Sequence, residues 1–338
     1  TTGCDIEWIK GCNRMDLILT SSEHSKSTFL NSHYQNSNNK GDIIKLTKPI
    51  EVLFEGGNLD VYKTIKKFKN KELYNQLNSI PEDFAYLNVG HWMQGNFGHD
   101  RKNIALTIKS FYETFKNKEN QPALILKCCR VNSSVGDKEN IQRKISDIRD
   151  SIEGKNIPSV YLLHGEFTDK EMNEIYNHPK VKAMVSFTKG EGFGRPLLES
   201  AVTGKPVITT NWSGHIDFLH PDYNVLIGGE LKPVHKSAAN QFLLKDSQWF
   251  NINTAIASRA MKDVFNHYKK YQEKSRKQTQ YLKNNFSLDK MGELINSFMP
   301  KIEATPQIQQ LTLPKLKKVK NDIKLPKLKL PKLKKIEA

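Results

Sequence analysis

Two carboxylates lie eight residues apart in a glycine-bearing segment near the middle of the chain. Glu191 falls in the loop after an apolar run, and Glu199 falls in a predicted helix whose first turn contains Pro196. A glycine-bearing turn into a helix presents unpaired backbone N–H groups and the positive end of the helix dipole, which attract phosphate. Ionised carboxylates only accept hydrogen bonds, so they suit ribose and sugar hydroxyls. The segment therefore predicts a ligand with both a pyrophosphate and a polyol, which describes a nucleotide sugar.

The segment lies within a regular alternation of strand and helix patterns that starts at Phe84. Strands are predicted at 84–89, 123–128, 160–163, 183–187 and 206–210. The helices between them are predicted around Ile104, Ile108 and Phe111, and at 138–151, 169–176 and 195–202. This alternation predicts an α/β fold, in which a parallel sheet carries helices on both faces. Ligands of such sheets bind beyond the carboxyl ends of the strands.

Both ends of the chain depart from this alternation. Residues 1–80 show two predicted strands, 16–20 and 50–54, and a helix that runs to about Leu30, for which Ser21-Ser22-Glu23 supplies an N-cap and an early acidic residue. That is about half of a doubly wound domain, so we expect an upstream part to be missing. The predicted organisation has four parts. A partial N-terminal, acceptor-side domain with its connection (1–82) is followed by a nucleotide-sugar-binding domain (83–245). Helices at 255–284 and 288–299 then pack back across the junction (246–303), and a Lys/Leu/Pro-rich basic tail (304–338) ends the chain.

Length and composition exclude several classes of protein. The 338 residues, 37% of them hydrophobic, are enough for two domains with a core. Apolar runs stay far below the roughly 20 residues that a membrane-spanning helix needs. The four cysteines are too few for a disulfide scaffold, and neither Cys4 with Cys12 nor Cys128 with Cys129 has zinc-site spacing. These observations predict a cytoplasmic protein with reduced thiols, in which Cys128 and Cys129 are core residues of a strand.

The positive charge of the chain is concentrated at its C-terminus. The formal net charge is +16, and residues 311–338 contain ten lysines and two acidic residues, which is half of it. Leu-Pro-Lys-Leu-Lys occurs there three times, and the prolines exclude a continuous amphipathic helix. Three interpretations stay open: a solvated disordered tail, peripheral attachment to an anionic membrane surface, and salt-sensitive contact with nucleic acid.

The spacing of Glu191 and Glu199 resembles the E-x7-E motif of GT-B-fold retaining glycosyltransferases, especially glycosyltransferase family 4. The resemblance extends over about 290 residues in an ordered series of segments: 16–26, 52–60, 86–90, 101–103, 163–166, 205–208 and 211–217. It implies a GT-B fold with two Rossmann-like domains, of which the first is partial here.

The resemblance also implies roles for individual residues. Glu191 and Lys102 are the implied catalytic residues: Glu191 contacts the donor sugar, and Lys102, with Arg101, neutralises the diphosphate as its bond to the sugar breaks. Glu199 is expected to bind the ribose hydroxyls. The remaining donor-binding candidates are Gly90, Gly165, Gly192, Phe193, Gly194 and Arg195, with backbone N–H groups of residues 192–194 on the diphosphate and Gly165 near the base. Neither a metal ion nor a cofactor is expected.

The implied reaction moves a sugar from a UDP-, GDP- or ADP-linked donor to an acceptor hydroxyl, with retention at the anomeric carbon. The acceptor, whether a glycan, a lipid or another polyol, is left open by the sequence. Two alternatives also stay open. The first is another GT-B chemistry, namely a sugar phosphorylase or a nucleotide-sugar epimerase, and the second is a non-catalytic donor-fold module attached through its basic tail.

Overall fold

A small parallel sheet lies near the start of the chain in this computed structural model, which describes residues 1–35 and 41–299. In it, β1 (Ile18–Thr20) pairs with β4 (Ile50–Val52). The other elements of this part are α1 (Ile6–Cys12), α2 (Glu23–Asn31), the antiparallel pair β2 (Tyr34–Gln35) and β3 (Ile43–Ile44), and α3 (Lys71–Asn78). Ser22 caps α2 as predicted, since its side chain accepts a hydrogen bond from the Ser25 backbone N–H. The short α1, the pair β2–β3 and α3 were not predicted.

A six-stranded parallel sheet forms the centre of the rest of the chain. Its strands are β5 (Ala85–His91), β6 (Ala123–Cys129), β7 (Val160–Leu163), β8 (Val181–Ser186), β9 (Val207–Thr210) and β10 (Val225–Ile227). Their spatial order is β10-β9-β8-β5-β6-β7, so β5 and β8 are neighbours although they are distant in sequence. The first five agree with the predicted strands to within two residues at each end, and β10 was not predicted.

Helices cover both faces of this sheet. They are α4 (Ile104–Phe115), α5 (Val135–Asp150), α6 (Asp169–Asn177) and α7 (Arg195–Val202). Successive residues of the strands belong to different cores: Tyr86 and Leu124 pack with α4 and α5, whereas Leu87 and Ile125 belong to the core that includes residues of α6 and α7. Helix α5 begins three residues before its predicted start because Ser134 caps it. Cys128 and Cys129 are buried in β6, as predicted.

One of the two predicted C-terminal helices, 255–284, is interrupted at His267, so this prediction is wrong there. The chain instead forms α8 (Thr254–Asn266) and α9 (Tyr268–Asn285), with His267 in a non-helical conformation between them. The break lets α8 pack on α4 in one core while α9 packs on α7 in the other. Helix α10 (Leu288–Phe298) follows, and Gly57 pairs with the α9–α10 junction through hydrogen bonds to Phe286 O and from Leu288 N.

An antiparallel hairpin precedes these helices. Its strands are β11 (Gly229–Pro233) and β12 (Gln248–Ile252), and Trp249 is buried with Val234 and Ala238 beneath the loop that joins them. The predicted basic tail, 304–338, lies outside the described residues. Within the described residues, each helix is either too short or too polar to cross a lipid bilayer.

Candidate active site

Three charged side chains meet at the carboxyl ends of the neighbouring strands β5 and β8. Lys102 Nζ lies 2.7 Å and 2.9 Å from the two carboxylate oxygens of Glu191, and Arg101 Nη1 lies 3.1 Å from Glu191 Oε2. The exposed fraction of these side chains is 9% for Glu191, 14% for Lys102 and 25% for Arg101. The structure therefore brings together the two predicted catalytic residues and a predicted donor-binding residue in one cluster.

The two cations control the ionisation of Glu191. Burial alone would raise the pKa of this carboxyl, but Lys102 and Arg101 outweigh burial and lower its pKa to about 2. Glu191 is therefore a carboxylate throughout the neutral pH range. Because two positive charges face one negative charge, the cluster keeps a net charge of +1, which favours an anionic ligand beside it.

Backbone contacts hold the loop before α4 against the loop after β8. Arg101 O accepts a hydrogen bond from Lys189 N at 2.8 Å, and Arg101 Nη1 donates to Gly190 O at 2.7 Å. Asn103, in a left-handed conformation with φ +56°, donates from its side chain to Phe187 O at 3.0 Å. These contacts fix the position of Lys102 relative to Glu191. The geometry of the ion pair therefore depends on two loops held together by hydrogen bonds, and not on flexible side chains alone.

The turn from Glu191 into α7 leaves backbone donors free. Gly194 precedes the helix with φ +105°, a conformation that side-chain-bearing residues rarely adopt. Among the hydrogen bonds of the described residues, none is donated by the backbone N–H of Gly192, Phe193 or Gly194. The Phe193 side chain itself is buried against Phe218, with ring centroids 4.8 Å apart, so only its backbone faces a ligand.

Glu199 lies one helical turn further on, in a different environment. Its Oε2 accepts a hydrogen bond from the Tyr176 hydroxyl at 3.1 Å, and Arg195 Nη2 lies 3.5 Å from Oε1. Burial raises the pKa of Glu199, and Arg195 opposes this shift. Arg195 is 62% exposed, and its Nε also lies 3.9 Å from Glu55 Oε2, so its guanidinium is directed towards two carboxylates.

The two carboxylates of the motif border different cavities. Glu191 lines a cavity of about 350 Å³ together with Arg101, Gly190 and Gly192. Glu199 lines another of about 340 Å³, whose wall also contains Arg195 and the hydrogen-bonded pair Tyr62 and Asp169. Spacing along the chain could not show this separation, since it depends on which segments cover each side of the helix.

The other predicted donor-binding residues lie on strand ends of the same sheet. Gly90 is near the end of β5, where an added Cβ would lie 3.7 Å from the Lys102 side chain, and Gly165 follows β7 with φ +134°. Beside Gly165, His164 Nε2 lies 3.2 Å from Asp137 Oδ2. Asp137 was missed by the sequence analysis, although its place in the first turn of a helix after β6 is a usable signal. In the described part of the chain, His, Cys, Asp and Glu side chains form no group of three that could hold a metal ion.

Comparison with known protein families shows to which of them this chain is similar. A family model described as "Glycosyl transferases group 1" matches residues 99–278, which is 180 of the 338 residues. The matched range includes Arg101, Lys102 and the whole of the Glu191–Glu199 segment. Comparison with curated protein sequences gives no match.

Several solved structures are similar to this chain. A sucrose-phosphate synthase from Thermosynechococcus elongatus is 12% identical with a TM-score of 0.58, and the alignment covers 86% of this chain and 59% of that one. A glycosyltransferase from Rickettsia africae is 13% identical with a TM-score of 0.60, covering 88% and 67%. HepE from Anabaena, solved in complex with UDP and glucose, is 13% identical with a TM-score of 0.57, covering 87% and 66%. The chain thus spans roughly three fifths to two thirds of these proteins, and the predicted GT-B fold is confirmed.

Proposed function

Because this chain belongs to the group 1 glycosyl transferases, we propose that it moves a sugar from a nucleotide-diphosphate sugar to an acceptor hydroxyl with retention at the anomeric carbon, as in glycosyltransferase family 4. The observation that carries this proposal is the Glu191–Lys102–Arg101 cluster beside the free N–H groups of the turn into α7. The complexes of HepE with UDP and with UDP-glucose support a nucleotide sugar as donor. UDP, GDP and ADP are the candidate carriers.

This cluster is placed to stabilise the departing diphosphate. As the bond between the anomeric carbon and the diphosphate oxygen breaks, the oxygen keeps the electron pair and gains negative charge. Lys102 and Arg101 supply positive charge there, and the N–H groups of Gly192, Phe193 and Gly194 supply hydrogen bonds at the start of α7. The acceptor oxygen forms the new bond to the anomeric carbon, and its proton passes to the departing diphosphate. No metal ion takes part in this proposal.

Glu191 has a second role, towards the sugar. With its pKa lowered to about 2 by Lys102 and Arg101, in spite of its burial, it cannot act as a general acid at neutral pH. A permanent carboxylate can instead accept hydrogen bonds from sugar hydroxyls and stabilise positive charge as it develops at the anomeric carbon. Lys102 contacts Glu191 and is proposed to contact the diphosphate as well. It therefore links stabilisation of the departing diphosphate to stabilisation of the charge at the anomeric carbon.

The nucleoside is assigned to the groups around Glu199 and the strand ends. Glu199 is already oriented by the Tyr176 hydroxyl, so its remaining lone pairs are available to ribose hydroxyls. We assign Gly90 and Gly165 to the backbone that approaches the donor, with Gly165 near the base, and we assign Arg195 to a further phosphate contact when it leaves Glu55.

A thermal-shift panel with UDP, GDP, ADP and CMP tests the proposal. A nucleotide at 100 times its Kd should stabilise the fold by about 2.7 kcal/mol. We expect one diphosphate to raise the Tm, and the effect to be lost in Glu199→Ala. The absence of any shift in folded protein would contradict donor binding by this chain.

Product analysis then separates the chemistries. A glycosyltransferase needs an acceptor and releases the nucleoside diphosphate, a phosphorylase needs inorganic phosphate, and an epimerase needs no acceptor. Proton NMR of the first-formed product gives the anomeric configuration, and an inverted product would contradict retention. Activity that disappears on treatment with a chelator and returns with a divalent metal would contradict metal independence.

A further inference from the structure

Three aromatic side chains form a wall of the cavity that Glu191 borders. They are Trp8 on α1, Phe29 on α2 and Phe242 in the loop between β11 and β12. The ring centroids of Trp8 and Phe29 are 6.2 Å apart with planes inclined by 22°, and those of Trp8 and Phe242 are 6.1 Å apart with planes inclined by 54°. We call these three side chains the aromatic wall.

Two rings of the aromatic wall are more exposed than is usual for large apolar side chains. Trp8 is 45% exposed and Phe242 is 59% exposed, although each could bury a large apolar area in a core. Exposed apolar patches that are rimmed by polar groups are a feature of ligand-binding grooves and interaction sites. Because the rings are rigid, a ligand that stacks on them loses little side-chain entropy.

The rest of the cavity is polar. Its lining includes the carboxylate of Asp5, the hydroxyls of Ser25 and Thr28, and the amide of Gln241, with Glu191 at the side of the candidate active site. The guanidinium of Arg101 also borders it but already contacts Glu191 and Gly190 O. The cavity therefore combines an apolar aromatic surface with hydrogen-bonding groups. The charge of Glu191 is balanced by Lys102 and Arg101. Asp5, at the start of α1, forms no ion pair among the described residues and disfavours an anionic ligand beside Trp8.

From these observations we propose that the cavity binds the acceptor, and that the acceptor is a neutral saccharide whose pyranose ring stacks on Trp8 and also contacts the inclined ring of Phe242. A pyranose ring has one face of C–H groups that matches an aromatic plane, and a rim of hydroxyls that can hydrogen-bond to Asp5 and Gln241. The hydroxyls of Ser25 and Thr28 donate to Gly192 O and His24 O, so they offer acceptor lone pairs to the ligand. The volume of about 350 Å³ is in the range of small-ligand sites. The inference rests on the proposed glycosyltransferase function, since an acceptor in this cavity presents a hydroxyl beside Glu191.

A glycan microarray of neutral oligosaccharides, probed with the labelled full chain in the presence of UDP, GDP or ADP, tests this inference. We expect binding to a defined subset of glycans. Trp8→Ala and Phe242→Ala should each weaken it about tenfold, as expected for loss of a stacked aromatic contact of about 1.4 kcal/mol. Trp8→Phe should retain most of the binding because it keeps a flat ring. Phe97→Ala removes a ring that is 50% exposed but lies outside this cavity, and should change nothing.

Each outcome has a defined meaning. Binding to none of the glycans, or binding that both alanine variants retain in full, would overturn the saccharide site. Because Trp8→Ala could unfold α1, its melting temperature is measured beside the array, and Phe242→Ala, which changes an exposed loop residue, carries the test if Trp8→Ala is unfolded. The diphosphate thermal shift is recorded for every variant: its absence in the unmodified chain refutes the proposed function, whereas its presence without glycan binding refutes this inference alone.

Discussion

Lys102 Nζ contacts both carboxylate oxygens of Glu191, at 2.7 Å and 2.9 Å, across 89 residues of sequence. A lysine ammonium has three protons, so this bidentate contact leaves donor capacity for one more oxygen. The pair is thus arranged to accept an anionic oxygen without first breaking.

Removing the Lys102 charge should harm both catalysis and stability. In Lys102→Ala we expect kcat for transfer to fall by about 10²–10³, the effect of losing one group that stabilises a developing negative charge. The fold should lose about 1–3 kcal/mol, because Glu191 stays buried with Arg101 as its one remaining cation. Steady-state kinetics and urea denaturation measure the two effects. Lys116→Ala, which removes a partly exposed lysine paired with Glu113, is the matched control and should change stability by less than about 0.5 kcal/mol. Unchanged transfer in Lys102→Ala would remove this lysine from the site.

The ion pair should make the fold sensitive to acid. The pKa of Glu191 falls from an ordinary 4.5 to about 2 in the folded chain. A lowered folded-state pKa contributes stability that is fully present above pH 4.5 and is lost as the pH falls through about 2. The stability difference between the unmodified chain and Glu191→Gln should therefore shrink over that window. Thermal melts at a series of pH values from 6 down to 2.5 measure it, in steps of roughly half a unit. A difference that stays constant to pH 2.5 would contradict the lowered pKa.

Glu199 should show the opposite dependence on pH. Burial raises its folded-state pKa, so the stability that this shift contributes is present below the ordinary pKa and is lost as the pH rises through the raised one. Replacing it by the neutral Glu199→Gln should therefore stabilise the ligand-free chain at neutral pH but not at pH 4. Melting temperatures of both proteins at the two pH values give the answer. Equal effects of the substitution at both values would show that Glu199 does not titrate in this way.

The ribose assignment of Glu199 can be tested separately. We expect Glu199→Gln to weaken binding of the preferred nucleoside diphosphate about tenfold, and to weaken binding of its 2′,3′-dideoxy analogue much less, because the lost hydrogen bonds are those to the ribose hydroxyls. Calorimetric titration of both ligands into both proteins completes the cycle. Tyr176→Phe keeps the carboxylate and removes its partner, so it should have a smaller effect of the same kind. Equal losses for the two ligands would contradict the ribose role.

The turn before α7 should tolerate no side chain at Gly194. Its φ of +105° is a conformation in which other residues are strained, so Gly194→Ala should cost about 1–3 kcal/mol and disturb the free N–H groups beside Glu191. Gly136→Ala is the control: this glycine lies in helix α5 with open space around its added Cβ, and the change should stabilise by up to about 1 kcal/mol. Denaturant unfolding measures both variants. A neutral Gly194→Ala would show that the turn can relax.

Much of this molecule follows from local sequence pattern. The strands from Ala85 to Thr210 and the helices between them were predictable because apolar spacing, caps and glycines act over a few residues. The same local signals indicated Glu191, Glu199 and the turn between them. The pattern failed at His267, where a helical sequence is interrupted so that α8 and α9 can pack on opposite faces of one sheet.

The tertiary structure alone decided how the chemistry is assembled. Lys102 meets Glu191 because β5 and β8 are neighbours in the sheet, an order that no local pattern encodes. Trp8 meets Phe242 across 234 positions because α1 and the β11–β12 loop line one cavity. Such contacts depend on the path of the whole chain, and the lowered pKa of Glu191 depends on them in turn. Sequence therefore determined which groups are available, and packing determined which of them act together.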